Sequence, residues 1–293
     1  MIDWRIDTVL KAMTKAADIA IAFYEKPGTR IKSDRTLVTE ADLQIENALC
    51  GIFENPADGS YLIGEETVHQ KGRPYLESAL DRVAWVVDPI DGTAPYAHHI
   101  PTWGISIARM ERSVISDGAI YLPITGEVFI TQHDGILHGI AHQNELTESD
   151  LAPLNVIRRE PDEGGMIAIT QSFAKRGYID SPNPVQALAC AVMPLSYLLL
   201  GRYLGYVGTL KLWDIAGALA LLSNADFHCT MIDGTIVGRR VTNEKYAIDH
   251  NDPHKRWQMT DLCVCGSSKP VTDYLISCLP TAGGAPPESP NQR

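Results

Sequence analysis

Two carboxylates, Asp88 and Asp91, stand directly after an apolar run that begins at Val83. A run of this length is typical of a strand that fills a core, and the dipeptides Asp-Pro and Asp-Gly are typical of its end. Stiff turns at strand ends are where α/β proteins often carry their functional groups. Both dipeptides are also common in ordinary turns, so this pattern by itself leaves a plain turn as the alternative.

Further acids at the ends of predicted elements favour a site. Glu65 and Glu66 follow a second strand-like run, and Asp214 follows Trp213 at the start of an apolar helix. An acid at a helix start also suits the helix dipole without any ligand role. Carboxylates with no partnering His or Cys suit Mg²⁺ or Mn²⁺ rather than Zn²⁺. Because clustered acids repel one another, the pattern predicts a site that its cations assemble.

The motifs GEE, DPIDGT and WDIAGA occur in this order, with VTEAD at Val38 to Asp42 upstream of them. They resemble the motifs of the inositol monophosphatase family of magnesium-dependent, lithium-sensitive phosphatases. The resemblance extends over roughly residues 5 to 280, and DPIDGT is its most specific part. It implies a layered αβαβα sugar-phosphatase sandwich of the α+β or α/β class, a phosphoric monoester hydrolase, and a homodimer.

The resemblance also implies the metal ligands. Glu65, Asp88 and the backbone carbonyl of Ile90 would bind a first Mg²⁺. Asp88, Asp91 and Asp214 would bind a second, which makes Asp88 the bridge. A third, weaker ion near Glu65 is common in the family, and Mn²⁺ could replace Mg²⁺. Two metals about 3.5–4 Å apart flank an in-line displacement, in which one activates water and the other stabilises the leaving oxygen.

The attacking water is expected to lie near Thr93 and Asp42. By resemblance, Thr93 would hydrogen-bond the water, Asp42 would draw its proton, and Glu66 would support the site behind Glu65. The residues alone also allow a capping role for Asp42, since Thr39 followed by an acid three residues later is typical of a capping box. The two roles are compatible, because a capped helix end is a rigid mount. A covalent phosphoenzyme is not expected.

The substrate is expected to be a small phosphorylated molecule. The backbone N–H groups of Gly92 and Thr93 would contact the phosphate, where the chain is predicted to turn helical, and Asp91 is also expected to contact the substrate. The small-residue cluster at Ala189 and Cys190 stands where the family contacts the remainder of the substrate.

The sequence departs from the family pattern at one substrate position. Seven residues before Asp214 the family usually carries a glutamate that contacts substrate hydroxyls, and this chain has Val207 there. Lys211 could instead meet a second phosphate or a carboxylate, or be a solvated lysine. We predict hydrolysis of a small polyol or sugar phosphate by metal-activated water. Histidinol phosphatase, fructose-1,6-bisphosphatase and 3′-phosphoadenosine 5′-phosphate phosphatase share the motifs and stay open, as does a non-catalytic regulatory member.

Composition argues against several other functions. The 293 residues carry a net charge of −11 and no run of Lys or Arg, which argues against nucleic-acid binding as the main role. The longest apolar region, Ala187 to Leu200, is too short to span a bilayer, and the N-terminus lacks a signal-peptide pattern. No membrane attachment is therefore expected. Six scattered cysteines predict buried free thiols in a reducing cytoplasm.

The elements predicted to position these residues fall into two halves. Residues 1–145 are expected to form an α+β half with an antiparallel sheet, residues 146–279 an α/β half, and residues 280–293 a disordered tail. The predicted helices run from Asp3 to Lys26, Glu40 to Phe53, Val185 to Leu200, Asp214 to Ser223 and Pro270 to Leu279.

Strand and loop patterns complete the prediction. Three strand-like segments between Gly104 and Thr131 predict an antiparallel meander. Thr67 to Asp81 is polar and is predicted to be a loop. His138 and His142 are predicted to be exposed on a strand.

Overall fold

The structure, a computed structural model, describes residues 2–32, 36–133, 135–141, 145–249, 252 and 255–280. The predicted tail beyond Pro280 and the predicted surface residue His142 lie outside these ranges. Within the ranges, no helix combines the length and the apolar character that crossing a membrane requires.

The described residues form eight α-helices and fourteen strands. The helices are α1 Ile6–Tyr24, α2 Glu40–Phe53, α3 Arg73–Asp81, α4 Thr93–Ala97, α5 Gln171–Arg176, α6 Val192–Leu199, α7 Leu212–Asn224 and α8 Lys269–Ser277. The strands are β1 Arg30–Ile31, β2 Leu37–Val38, β3 Ser60–Gly64, β4 Val83–Asp91, β5 Gly104–Glu111, β6 Val114–Leu122, β7 Glu127–Gln132, β8 Gly135–Ile140, β9 Leu151–Pro153, β10 Ile167–Ile169, β11 Val185–Gln186, β12 Gly205–Gly208, β13 His228–Met231 and β14 Cys263–Gly266.

Two large sheets carry the fold. The first has seven strands in the order β3-β4-β5-β6-β7-β8-β9. Its β3 and β4 are parallel and its other neighbours are antiparallel, which confirms the predicted meander. The second has five strands in the order β11-β10-β12-β14-β13, with β10 parallel to β11 and β12. β1 and β2 form a separate antiparallel pair.

Helices and sheets alternate in five layers. α1 and α2 pack on one face of the seven-stranded sheet, where Ile45 and Trp85 share a buried cluster. α6 and α7 lie between the two sheets, so Leu195 and Leu219 pack among residues of both. α5 and α8 cover the outer face of the five-stranded sheet, where Leu275 is buried. The predicted αβαβα sandwich is therefore confirmed.

Two glycines let α7 approach the seven-stranded sheet closely. A Cβ added at Gly118 of β6 would lie 2.3 Å from the carbonyl oxygen of Gly217 in α7. A Cβ at Gly217 would lie 2.5 Å from Oγ of Ser106 in β5. Side chains larger than hydrogen at these positions would push the helix off the sheet.

Three predictions about elements are wrong. The region Thr67 to Asp81 contains α3, because Ala79 and its neighbours pack on the sheet from an otherwise polar helix. The helix predicted from Val185 begins only at Val192, since residues 185 and 186 form β11 and Ala189 has a φ of 58°. His138 is partly buried, with its ring centroid 4.5 Å from that of Phe129.

The predicted boundary at residue 145 falls before the last strand of the seven-stranded sheet. The seven-stranded sheet continues through β9 at Leu151–Pro153, which follows residue 145 in the chain. The division into two halves stays a prediction. The six cysteines are free, and all except the partly buried Cys50 are buried, in agreement with the expected free thiols.

Candidate active site

Three aspartates from distant parts of the chain meet at one place. Asp88 and Asp91 lie at the end of β4, and Asp214 lies in the first turn of α7. One carboxylate oxygen from each lies within 4.8 Å of those of the other two. Because α7 packs closely on the seven-stranded sheet, its N-terminal turn lies near the end of β4. The predicted convergence of these acids is therefore present.

Two of the aspartates also fix the starts of helices. Oδ2 of Asp91 accepts hydrogen bonds from the backbone N–H groups of Ala191 and Val192, both at 2.6 Å, and from the Cys190 thiol at 3.2 Å. Oδ2 of Asp214 accepts one from the backbone N–H of Lys211 at 2.9 Å. Each acid can thus cap a helix and direct its other oxygen into the cluster.

Asp88 is held differently. Its side chain is 1% exposed, and its Oδ1 has no hydrogen-bond partner among the described residues. Burial, together with the nearby carboxylates of Glu65 and Asp91, raises the pKa of Asp88 well above its usual value. Burial also raises the pKa of Asp91 to about 6 and, with repulsion from Asp91, that of Asp214 to about 8.

These acids fit a hard divalent cation. A buried carboxylate oxygen without a donor is costly, and a bound cation would meet that need. This group of side chains placed to hold an ion consists of three carboxylates, and oxygen donors of this kind are those that Mg²⁺ prefers. The residues present are therefore compatible with the metal that the resemblance implies.

Lys32 pairs with both glutamates of the GEE motif, a contact that the sequence did not indicate. Its Nζ donates to Oε1 of Glu65 at 2.9 Å and to Oε1 of Glu66 at 2.6 Å. Burial alone would lower the pKa of Lys32. The two nearby carboxylates outweigh this effect, so the pKa is raised. Burial and repulsion from Glu65 raise the pKa of Glu66 to about 8. The site thus carries a cationic group of its own beside Glu65.

Glu46 is a second residue that sequence reasoning missed. It is fully buried, and its two carboxylate oxygens accept the backbone N–H groups of Glu66 and Thr67, both at 2.8 Å. A Cβ at Gly64 would lie 2.3 Å from the Glu46 carboxyl carbon, so only glycine fits there. Glu46 follows Asp42 by four residues on α2, and this spacing places both acids on one helix face. That spacing was the available signal.

Thr93 and Asp42 are in hydrogen-bond contact. Oγ1 of Thr93 lies 3.2 Å from Oδ1 of Asp42 and 3.2 Å from the carbonyl oxygen of Ile90. Oδ2 of Asp42 accepts the backbone N–H of Thr39 at 2.8 Å, and the predicted capping box of α2 is present. Burial raises the pKa of Asp42 to about 6, although Thr39 opposes the shift.

Gly92 makes the turn between β4 and α4. Its φ is 95°, a left-handed conformation that favours glycine, and an added Cβ would lie 2.8 Å from the carbonyl oxygen of Thr102. α4 begins at the next residue, so the chain does turn helical at Thr93 as predicted.

The predicted substrate residues differ in their access to solvent. Cys190 is 5% exposed and contacts Asp91, and Ala189 beside it is partly buried. Val207 is fully buried in β12. Lys211 lines a cavity of about 540 Å³ that also borders Glu65. Lys211 is therefore a predicted substrate residue that faces open space.

Comparison with known proteins shows the family to which the chain belongs. The family model described as inositol monophosphatase family matches residues 5–267. The chain belongs to this family. An inositol-1-monophosphatase from Caulobacter vibrioides is 26% identical over 211 residues, which are 69% of this chain and 78% of the relative. Nus factor SuhB from Pasteurella multocida is 25% identical over 226 residues, which are 75% of this chain and 82% of the relative.

Inositol monophosphatases are phosphoric monoester hydrolases, and this family member belongs to that class of enzymes. In structure the chain is similar to the extragenic suppressor protein suhB from Bartonella henselae. The TM-score is 0.67 at 20% identity, over 93% of this chain and 97% of that chain. This likeness shows the shared fold.

Proposed function

We propose that this protein is a Mg²⁺-dependent hydrolase of small phosphomonoesters, in which water attacks the phosphorus directly. The observation that carries the proposal is Asp88, whose buried Oδ1 lacks a donor among the described residues and whose carboxylate lies close to those of two further aspartates. A cluster of this kind calls for a divalent cation. Membership of the family supplies the reaction class.

The proposed ligands come from four places in the chain. Glu65, Asp88 and the carbonyl oxygen of Ile90 would hold one ion, and Asp88, Asp91 and Asp214 a second. Bound Mg²⁺ or Mn²⁺ would lower the pKa of a water molecule and neutralise charge on the phosphoryl group. We further propose room for a third, weaker ion near Glu65, and sensitivity to Li⁺.

Thr93 and Asp42 are proposed to hold the attacking water. When Oγ1 of Thr93 donates to Oδ1 of Asp42, its lone pairs remain available to accept a proton from water. A neutral Asp42 is accessible near its raised pKa of about 6, so the carboxylate can accept a proton in turn. Glu66, held by Lys32, would support this side of the site.

Substrate contacts are proposed for two groups of residues. The backbone N–H groups of Gly92 and Thr93 would contact the phosphate, and Asp91 would contact another part of the substrate. Ala189, Cys190 and Lys211 would contact the alcohol part. The expectation of a polyol or sugar phosphate, with the three alternative phosphatase activities named above, stays a prediction.

Steady-state kinetics tests the function. Phosphate release would be measured from inositol 1-phosphate, a sugar phosphate, histidinol phosphate, fructose 1,6-bisphosphate and 3′-phosphoadenosine 5′-phosphate, with Mg²⁺ and with EDTA. Turnover of at least one ester that EDTA abolishes and Mg²⁺ restores is expected. Turnover that persists in EDTA, or no turnover of any ester, would overturn the proposal.

A regulatory function is the second candidate, because one relative carries the name Nus factor SuhB. In that case the chain would bind a macromolecular partner through its fold. A pull-down that keeps the same partner with Asp88→Asn would support this role, whereas loss of the partner with that variant would oppose it. By family resemblance we also propose a cytoplasmic homodimer, which sedimentation and cell fractionation would test.

A further inference from the structure

Four sulfur-bearing side chains lie together on one face of two paired strands, β13 and β14. Cys229 and Met231 belong to β13, and Cys263 and Cys265 belong to β14. Cys229 lies directly opposite Cys265 across the antiparallel pair, and Met231 lies directly opposite Cys263. Side chains paired in this way have Cβ atoms about 4.5–5.5 Å apart. The two strands therefore bring three thiols and a thioether to one place, here called the sulfur cluster.

The distance between two of these sulfur atoms is close to the distance between ligands of one metal ion. All four side chains are buried, and those of Cys263 and Cys265 have no exposed surface. The sulfur atoms of Cys263 and Cys265 lie 3.6 Å apart. Two sulfurs bound to one ion by tetrahedral bonds of about 2.3 Å are about 3.8 Å apart. Only a small movement of either side chain is therefore needed for both sulfurs to share an ion.

A buried hydroxyl near the sulfur cluster lacks a partner. Tyr246 is fully buried, and its hydroxyl has no hydrogen-bond partner among the described residues. Burial and the neighbouring thiols of Cys263, Cys229 and Cys265 raise the pKa of Tyr246. Buried polar groups are nearly always hydrogen-bonded, and cysteines that serve only as small apolar residues leave this hydroxyl without an acceptor. A thiolate that a metal ion keeps deprotonated supplies an acceptor beside it.

The donor atoms of the sulfur cluster differ from those of the three aspartates. Thiolate and thioether sulfurs are soft donors, which favour Cu(I) over hard cations such as Mg²⁺. Zn²⁺ also binds thiolates, but its other usual ligands are His and carboxylates. Met231 supplies a thioether instead, and this donor selects Cu(I).

A route from solvent reaches the sulfur cluster. Cys229 borders a cavity of about 630 Å³ that also borders the exposed residue Ile236. β13 is the last strand of the five-stranded sheet, so it has a neighbouring strand on one side only. Local opening at such an edge requires less free energy than global unfolding. An ion can therefore enter the cluster without complete unfolding of the protein.

We propose that the sulfur cluster is a second metal site and that it binds one Cu(I) ion. Cys263 and Cys265 bind the ion as thiolates, and each releases its thiol proton to solvent on binding. Cys229 and Met231 complete the coordination of the ion, and the hydroxyl of Tyr246 donates to a bound thiolate. This site goes beyond the proposed hydrolase function and does not depend on it.

Copper retention tests the site. The protein would be unfolded in urea, refolded without oxygen in the presence of Cu(I), desalted and analysed for copper. The wild type should retain about one copper ion per chain, and the double variant Cys263→Ala/Cys265→Ala less than about a tenth of that amount. Copper retained by this variant at the wild-type level overturns the inference.

Two control variants locate the copper. Cys50→Ala/Cys278→Ala removes the same number of thiols from α2 and from the end of α8, and it should retain copper. Asp88→Asn should also retain it, because the acidic cluster is a separate site with hard donors. A loss of copper in either control as large as in Cys263→Ala/Cys265→Ala overturns the inference.

X-ray absorption of the copper-loaded wild type identifies the donor atoms without any substitution. The copper should have sulfur neighbours at about 2.3 Å. A first shell made of nitrogen or oxygen atoms overturns the inference. The result stands even if the cysteine variants fail to fold.

Competition between metals tests the choice of Cu(I). Wild-type protein refolded with equal concentrations of Cu(I) and Zn²⁺ should retain copper in at least about tenfold excess over zinc. Added Mg²⁺ should displace none of the copper. Zinc retained in place of copper overturns the choice of ion. These measurements involve no turnover, so failure of the hydrolase proposal leaves them unaffected.

Discussion

The three aspartates of the cluster use their oxygens differently. Asp91 and Asp214 each give one oxygen to backbone N–H groups at the start of a helix. Asp88 is buried, and among the described residues no donor reaches its Oδ1. Because a buried charge without a partner destabilises the folded state, Asp88 should govern both cation binding and the stability of the metal-free protein.

Replacing Asp88 separates these two effects. Asp88→Asn removes a carboxylate that is proposed to contact both ions, so kcat with Mg²⁺ should fall by about 100-fold or more. The same change removes a repelling charge, so the free energy of unfolding in EDTA should be equal or higher. Enzyme assays and urea unfolding would measure the two quantities. Asp180→Asn, at an exposed position, is the control, and near-normal kcat in Asp88→Asn would contradict the bridging role.

Thr93 offers a test of the proposed water site. Thr93→Ala removes the hydroxyl that contacts Asp42 and should lower kcat by about tenfold or more, while Mg²⁺ binding measured by calorimetry stays nearly the same. Thr93→Ser keeps the hydroxyl and should recover most of the activity. Equal activity of the Ala and Ser variants would show that the hydroxyl has no part in the reaction.

The sequence predicted the three aspartates of the cluster, but it did not predict Lys32 and Glu46, which contact the GEE motif. Asp88, Asp91 and Asp214 belong to specific motifs, and each follows a strand or begins a helix. Lys32 and Glu46 act through contacts with residues 20 to 34 positions away, and a local pattern shows that Glu46 shares a helix face with Asp42 but does not show these distant partners.

At the level of elements, a residue of α2 fixes the turn at residues 64–67 that contains the GEE motif, here called the GEE turn. Glu46 accepts two backbone N–H groups of the turn, and its carboxyl group fills the space in front of Gly64. This contact should fix the direction of Glu65, since the turn has little freedom to rotate. Glu46 is therefore a positioning residue for the proposed metal ligand.

A double-mutant cycle measures this contact. Gly64→Ala inserts a methyl group against the Glu46 carboxyl and should destabilise the protein by about 1–3 kcal/mol. The same change in a Glu46→Ala background should cost less, because the obstructing group is gone. Urea unfolding gives the four free energies, and calorimetry gives the Mg²⁺ affinity, which should fall in Glu46→Ala. Additive free energies would show that the two sites do not interact.

The predicted boundaries of an element are correct where the contact that sets them lies close by in the sequence. The capping box of α2 lies within four residues, and the helix has the predicted bounds Glu40–Phe53. The start of α6 depends on Asp91, whose carboxylate accepts N–H groups 100 and 101 residues later in the chain. The apolar residues of this region do not indicate where α6 begins. α3 was missed because most of its surface is polar, and only Ala79 is fully buried.

At the level of the whole molecule, the acidic cluster should make metal-free stability depend on pH. Burial raises the pKa of Asp91 to about 6 and those of Glu66 and Asp214 to about 8. Their unfolded values lie near 4, so the folded chain binds more protons than the unfolded chain between about pH 4 and about pH 8. Stability must therefore fall as pH rises through this window.

Urea unfolding in EDTA tests this dependence. The free energy of unfolding should be lower at about pH 8.5 than at about pH 5.5, by about 1 kcal/mol or more. Saturating Mg²⁺ should shrink or reverse the difference, because it binds the deprotonated acids of the folded state. Equal values at the two pH values in EDTA would contradict the raised pKa values of these groups.

The contact of Gly118 with Gly217 has a consequence for divergence within the family. Main chain meets main chain at this point, so the distance of α7, and of Asp214 upon it, from the sheet is set here by a backbone contact rather than by larger side chains. Mutations can then change the shape of the cavity that Glu65 and Lys211 line without altering the spacing of the three aspartates. Such an arrangement lets the enzyme exchange one alcohol for another over evolutionary time while the hydrolytic step is preserved.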